Sequence, residues 1–432
     1  MRRADERRGL RRWAAEWLFS RRSSGGQLIA VGLLSALSTA LSMAAVTSQW
    51  IKTAAAPELF YEVNEDNLRL LLAVPLLWRA YIPNVFAWNG HIASIFGYVK
   101  LPSWSHRRVD IEVITLPDGG TVSIEWGAKP QDHMPIILML PGINNDASMP
   151  YIQHLMTLVL NERLGIPAAV NWRGLGGLKL TAAPGTGTPK PYCGICSDDV
   201  QQIISHLRRK YPSFPVYAIG WSMGGCMLVR HMADSGDECQ LAAAMAVSPA
   251  LDIGAIYEHF SGSKRSLGSW YGLVIGFKLW LYFIKHRHEL AGGPVSIWDA
   301  FCGMFKGYEQ AVFVPLWGLR DVNEYHERAS VHTSVANITR PLLVVHARDD
   351  PVVPVASLPL KELAANPNII TAITRHGGHM GYTSGRTPFL GAWTDRVLLH
   401  YLRHIMERKR SDGHGAPQSK TISNILREHS KL

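Results

Sequence analysis

The 432-residue sequence predicts an α/β fold built on a mostly parallel, doubly wound sheet, and three observations carry that expectation. Short continuous apolar runs alternate with helical stretches over residues 136–374, the pattern of strands buried on both faces by helices. A serine stands in GWSMG, Gly220 to Gly224, where a strand candidate gives way to a helix candidate. An aspartate pair and a histidine pair then follow the last two strand candidates, in ARDDPVVP and TRHGGHMGY.

Along the chain, residues 1–26 form a basic arm, in which Arg2, Arg3, Arg7, Arg8, Arg11, Arg12, Arg21 and Arg22, set against Asp5, Glu6 and Glu16, supply half of the net charge of +10. The rest is close to balanced, so nucleic acid is not an expected partner. No charge interrupts Ser23 to Ile51, and Leu28 to Val46 is apolar over a bilayer's width, which predicts a transmembrane anchor at 27–48. A cleaved signal peptide and a buried core helix are the rival readings. The arginines before the anchor keep the N-terminus cytosolic and send the rest of the chain across. Residues 49–105 read as an apolar connector, in which LRLLLAVPLLW, broken by Pro75, is too short to span and suits an interfacial helix.

A catalytic domain is expected over 106–405. VDIEVITL and TVSIEW alternate around PDGG, a hairpin pattern. The strand candidates that follow are IILML (136–140), AAVN (168–171), VYAIG (216–220), LAAAMAVS (241–248), PLLVVHA (341–347) and IITAIT (369–374). Helices are expected at 151–164 and at 198–210, the latter with Ser197 as N-cap. The alternation stops over 251–335, which predicts a helical cap insertion. Within it, WYGLVIGFKLWLYFI (270–284) holds Lys278 as its only charge and fits both a cap core helix and a surface that meets lipid.

Residues 406–432 read as a polar tail ending in Ser430-Lys431-Leu432, a peroxisomal address. An anchor acts before a C-terminal signal is read, so the endoplasmic reticulum or another endomembrane is the expected location and the peroxisome the alternative. Asn337-Ile338-Thr339 is an N-glycosylation acceptor pattern that reports on orientation. Of the five cysteines, Cys193 and Cys196 form a CxxC without a second pair, which reads as a loop coincidence and not as a zinc or redox centre.

GWSMG alone is a weak signal. Its setting, a strand, a tight turn and a helix, is that of a nucleophile elbow, where Gly220 and Gly224 let the turn close and the helix approach the strand. A nucleophilic serine needs a base, an acid to orient that base, and N–H donors for the oxyanion. Ser222, an aspartate and a histidine occur in the chain order of the α/β-hydrolase fold. Asp350, directly before PVVP, is preferred to Asp349, which is left to face away or brace the loop. His379, with Gly377 and Gly378 before it, is preferred to His376. The N–H groups of Met223, after the nucleophile, and of Ile143, after IILML-Pro141-Gly142, are the expected oxyanion donors. No metal or organic cofactor is required.

From these stretches, and from NGHIASIF (89–96), PDGG with Trp126, LPGI with SMPY (148–151), NWRGLGG (171–177) and SDD (197–199), the chain resembles the AB hydrolase 4 family over residues 85–405. It departs from that pattern at Asn144-Asn145, where a loop richer in glycine is expected. The resemblance implies an α/β-hydrolase fold behind one N-terminal anchor, and a serine hydrolase cleaving lipid esters, acylglycerols or phospholipids, with Ser222, Asp350 and His379 as its triad. Lipid ester and membrane are then the expected partners, with oligomeric state left open. The same triad would serve an acyltransferase, and a non-catalytic lipid receptor on this fold is the alternative of another class.

Overall fold

The apolar runs become strands at the places their composition marks. Described in the computed structural model are residues 54–412, apart from 88, 99–109, 132–133, 186, 262–266, 386 and 390. Strands β1 (Glu58–Tyr61), β2 (Asp110–Thr115), β3 (Thr121–Trp126), β4 (Ile136–Leu140), β5 (Ile166–Asn171), β6 (Val216–Trp221), β7 (Leu241–Val247), β8 (Leu342–Ala347) and β9 (Ile369–Thr374) form one nine-stranded sheet. Its order is β1-β9-β8-β7-β6-β4-β5-β3-β2. The pairs from β5 through β9 are parallel, whereas β1, β2 and β3 attach antiparallel. Every residue of β4, β6, β7, β8 and β9 is buried, so these strands carry no polar face to alternate with.

The helices are α1 (Glu65–Ala73), α2 (Gly90–Tyr98), α3 (Pro150–Asn161), α4 (Ser197–Lys210), α5 (Met223–Ser235), α6 (Ile253–Ser261), α7 (Leu267–Lys285), α8 (Ile297–Lys306), α9 (Val314–Trp317), α10 (Val322–Ala329), α11 (Leu360–Ala365) and α12 (Trp393–Asp412). Two hydrophobic cores follow from the pleat. Ile136, Leu138 and Leu140 face α4 and α5, while Ile137 and Met139 share the other core with α1, α3 and α12. The expected cap is present as α6 to α10 between β7 and β8. In α7, Leu279, Tyr282 and Phe283 are buried while Trp270, Val274, Phe277 and Leu281 are exposed, so the helix combines a packed face with an apolar outer one.

Several expectations change. Within the apolar connector, LRLLLAVPLLW is no interfacial helix: Leu70, Leu71, Val74 and Leu77 are buried in the core shared with α3 and α12. Pro75 does end α1, and a 3₁₀ turn follows at Pro75–Leu77. The hydrolase body therefore begins near residue 54, and β1 extends the sheet past β9. Ser197 opens α4 as its first residue, and the N-cap position is held by Cys196 without a side-chain hydrogen bond. The polar tail is helical as far as Asp412. The basic arm, the anchor segment 27–48 and Ser430-Lys431-Leu432 lie outside the described residues. Among the described residues, no helix is long and apolar enough to cross a membrane.

NWRGLGG and SDD meet in space. Arg173 Nε and Nη2 donate to the two Asp199 carboxylate oxygens at 2.7 and 2.8 Å, and Nη1 donates to Asp118 Oδ2 at 2.7 Å. Arg173 and Asp199 are both buried. Arg173→Met would leave the Asp199 charge buried and unpaired, and should cost about 3–5 kcal/mol of stability. Denaturant unfolding of the variant beside the parent chain reads this loss directly.

Candidate active site

Three loops at the C-terminal ends of strands bring the site residues together. At the first, β6 turns sharply into α5 through Ser222, whose backbone sits at φ 52° and ψ −119°. Its N–H donates to Val247 O at 3.0 Å, and its carbonyl accepts from Cys226 N–H at 2.9 Å. A β-carbon at Gly224 would lie 2.2 Å from Leu140 O, and one at Gly220 would lie 2.5 Å from Gly224 O. The elbow thus demands both glycines for close approach. Gly224→Ala should destabilise the protein by about 1–3 kcal/mol through overpacking, checked by its unfolding midpoint.

The second loop follows β8. Asp350 Oδ1 accepts from the Val352 and Val353 N–H groups, each at 2.9 Å, which aims Oδ2 away from the turn. The third follows β9 and carries His379, whose Nδ1 is 2.8 Å from Asp350 Oδ2 and whose Nε2 is 2.9 Å from Ser222 Oγ. His379 and Asp350 are 2% and 6% exposed, so the line of contacts is shielded from water. Burial alone would raise the Asp350 carboxyl; the charge and hydrogen bond of His379, with His346 and the Val353 N–H, outweigh it and hold it below the usual carboxylate range.

The neighbouring candidates stand apart. Asp349 Oδ1 accepts from the Gly378 N–H at 2.8 Å, and Oδ2 lies 3.4 Å from His376 Nδ1. Asp349 and His376 therefore brace the loop that carries His379. Gly378 has φ +59°, and a β-carbon there would meet Gly90 O at 2.3 Å. The loop needs its glycine for close packing as well as for its turn.

Ser94 is the residue that sequence reasoning passed over. Its Oγ accepts the His379 N–H at 2.8 Å and donates to Gly90 O at 2.6 Å, fixing the histidine loop to α2. NGHIASIF contains it, but a serine inside an apolar helix advertises no partner.

The Ile143 loop follows β4. A β-carbon at Gly142 would lie 3.3 Å from Ser222 Cβ, so the loop runs against the elbow. The left-handed position of this loop is Asn144, with φ 52°, a conformation asparagine tolerates. That is how Asn144 serves where a glycine was expected, and its side-chain amide also donates to Lys278 O at 2.8 Å. Among the described residues, the Ile143 and Met223 N–H groups donate to no other backbone carbonyl. Above the serine lies a cavity of about 260 Å³, lined by Ser222, His379, Ile143, Tyr98 and, from α7, Tyr271, Val274, Ile275, Lys278 and Leu279. Cys193 and Cys196 are buried free thiols with sulfurs 3.9 Å apart, packed in the core beside α4.

Sheet order, elbow and cap insertion together define an α/β-hydrolase. The sequence profile of the serine aminopeptidase S33 family matches residues 167–278, a span that contains Ser222. The chain is 25% identical over 381 residues to the embryogenesis-associated protein EMB8 of Picea glauca, covering 84% of this chain and 80% of that protein. It is 26% identical over 343 residues to phospholipase ABHD3 of Homo sapiens, covering 77% and 81%. With monoacylglycerol lipase ABHD2 of Mus musculus the identity is 22% over 386 residues, covering 83% and 87%. In sequence the chain is thus similar to proteins named phospholipase and monoacylglycerol lipase, and its fold is that of the α/β-hydrolases.

Proposed function

We propose that the chain is a membrane-anchored serine hydrolase that cleaves an acylglycerol or phospholipid ester through Ser222, His379 and Asp350. By class it is a carboxylic ester hydrolase, and a lipid ester as its substrate is supported by two relatives named phospholipase and monoacylglycerol lipase. The observation that carries the proposal is the position of His379, 2.9 Å from Ser222 Oγ and 2.8 Å from Asp350 Oδ2.

The chemistry follows from those contacts. Asp350 accepts the Nδ1–H of His379, which leaves Nε2 free to take the Ser222 proton as Oγ bonds to the acyl carbon. The carbonyl oxygen gains the electron pair and is held by the Ile143 and Met223 N–H groups. Collapse expels the alcohol, which leaves with the proton from Nε2, and an acyl-enzyme remains. Water then repeats the sequence and releases the fatty acid. Purified chain tests this: a lipid ester should be cleaved, and a fluorophosphonate should label Ser222. A folded chain that takes up no probe sinks the proposal.

The anchor belongs to the same reading, supported by the uncharged run Ser23 to Ile51. Full-length chain should stay with membranes through alkaline extraction, and deletion of residues 1–50 should release most of it. Recovery of the intact chain in the soluble fraction would count against anchoring.

A further inference from the structure

Tyr271, Val274, Ile275, Lys278 and Leu279 of α7, five residues at helical spacing, line the cavity over Ser222, with Val274 at its exposed edge. Four of them suit an acyl chain. Lys278 does not, and the hydrolytic chemistry makes no use of it. Its ammonium donates to Asn145 Oδ1 at 3.2 Å and stands 5.5 Å from the centre of the Tyr98 ring. Among the described residues, no carboxylate lies within ion-pair distance of it. Burial lowers its pKa, as expected for a cation with only neutral neighbours. An unpaired ammonium is costly beside an apolar cavity, and an anion arriving with the substrate would offset that cost.

The identity of the anion follows from lipid chemistry. The carboxylate released by hydrolysis forms at Ser222 itself, and acylglycerols carry no charge. In a glycerophospholipid, the phosphate is the anionic group tethered a few bonds from the scissile ester. Lys278 reaches Asn145, which lies in the loop that runs against the elbow, so cation and nucleophile face one substrate. We propose that Lys278 is a specificity-determining residue that receives the phosphate of a glycerophospholipid while its acyl ester lies at Ser222. The proposal rests on the ester-hydrolase reading above and selects a substrate class within it.

The test compares phosphatidylcholine with diacylglycerol of the same acyl chains, each in neutral detergent micelles, using full-length chain. For Lys278→Met, the ratio of kcat/KM for phosphatidylcholine to that for diacylglycerol should fall about tenfold to a hundredfold, the worth of a charged hydrogen bond. Most of the loss should appear in KM. Lys278→Arg, which keeps the charge, should restore part of the ratio, and thermal unfolding checks that both variants fold. Glycerophosphocholine should inhibit the parent chain and lose that effect in Lys278→Met, whereas free fatty acid should inhibit both alike. An unchanged ratio, or an equal fall for both substrates, overturns the proposal and leaves Lys278 as a support for Asn145. So does a parent chain that cleaves diacylglycerol and ignores phosphatidylcholine. If the parent cleaves neither ester, the hydrolase reading fails first and this assignment goes with it.

Discussion

Ser222→Ala should reduce lipid-ester hydrolysis by about 10⁵-fold or more, to background, and abolish fluorophosphonate labelling. No other hydroxyl takes its place at the elbow, because the strained turn at φ 52° presents this one side chain to the cavity and to His379. The variant should fold, since the substitution removes one oxygen and leaves the glycines that shape the turn. His379→Ala should be nearly as severe, for the hydroxyl then has no base. A well-folded Ser222→Ala chain that hydrolyses as fast as its parent would end the enzyme reading.

The second large effect separates two adjacent aspartates. Asp350→Asn should lower kcat by about 10⁴-fold, because an amide in place of the carboxylate leaves the imidazole in the wrong tautomer. Asp349→Asn should cost at most about tenfold, since an asparagine carbonyl still accepts the Gly378 N–H that the carboxylate accepts now. Both variants are to be assayed with one short-chain ester under the same conditions. Loss in Asp349→Asn with activity kept in Asp350→Asn would reverse the assignment of the acid while leaving the fold untouched.

What the sequence made legible were elements whose composition is dictated by burial. IILML and IITAIT lie inside the sheet with every residue covered, so their bounds are visible as the ends of apolar runs. β1 was hidden because ELFY is short and half exposed; it is a strand because Ile370 to Ile373 of β9 are there to pair with it. The same distinction runs through the site. Ser222, Asp350 and His379 sit where strands end, and strand ends are readable. Ser94 acts through a helix that docks against a loop far along the chain, a relation that exists only in three dimensions. Lys278 stood out as a lone charge, but its neighbours Asn145 and Tyr98 became known only with the fold.

The bonds from α7, and from His286 just after it, to the hydrolase body bear on how freely such caps can be exchanged. Asn144 donates to Lys278 O, Tyr282 OH to Arg173 O at 2.8 Å, and His286 Nε2 to Gly174 O at 2.7 Å, while Tyr271 OH meets His91 Nδ1 at 2.9 Å. Three of the four body partners supply a side chain or carbonyl from loops that also shape the site or bind Asp199. A chimera that swaps residues 251–335 for those of a relative therefore inherits mismatched fastenings at His91, Asn144 and the Arg173-Gly174 turn. Cap and body are co-dependent parts, and grafts are best drawn to include those loops.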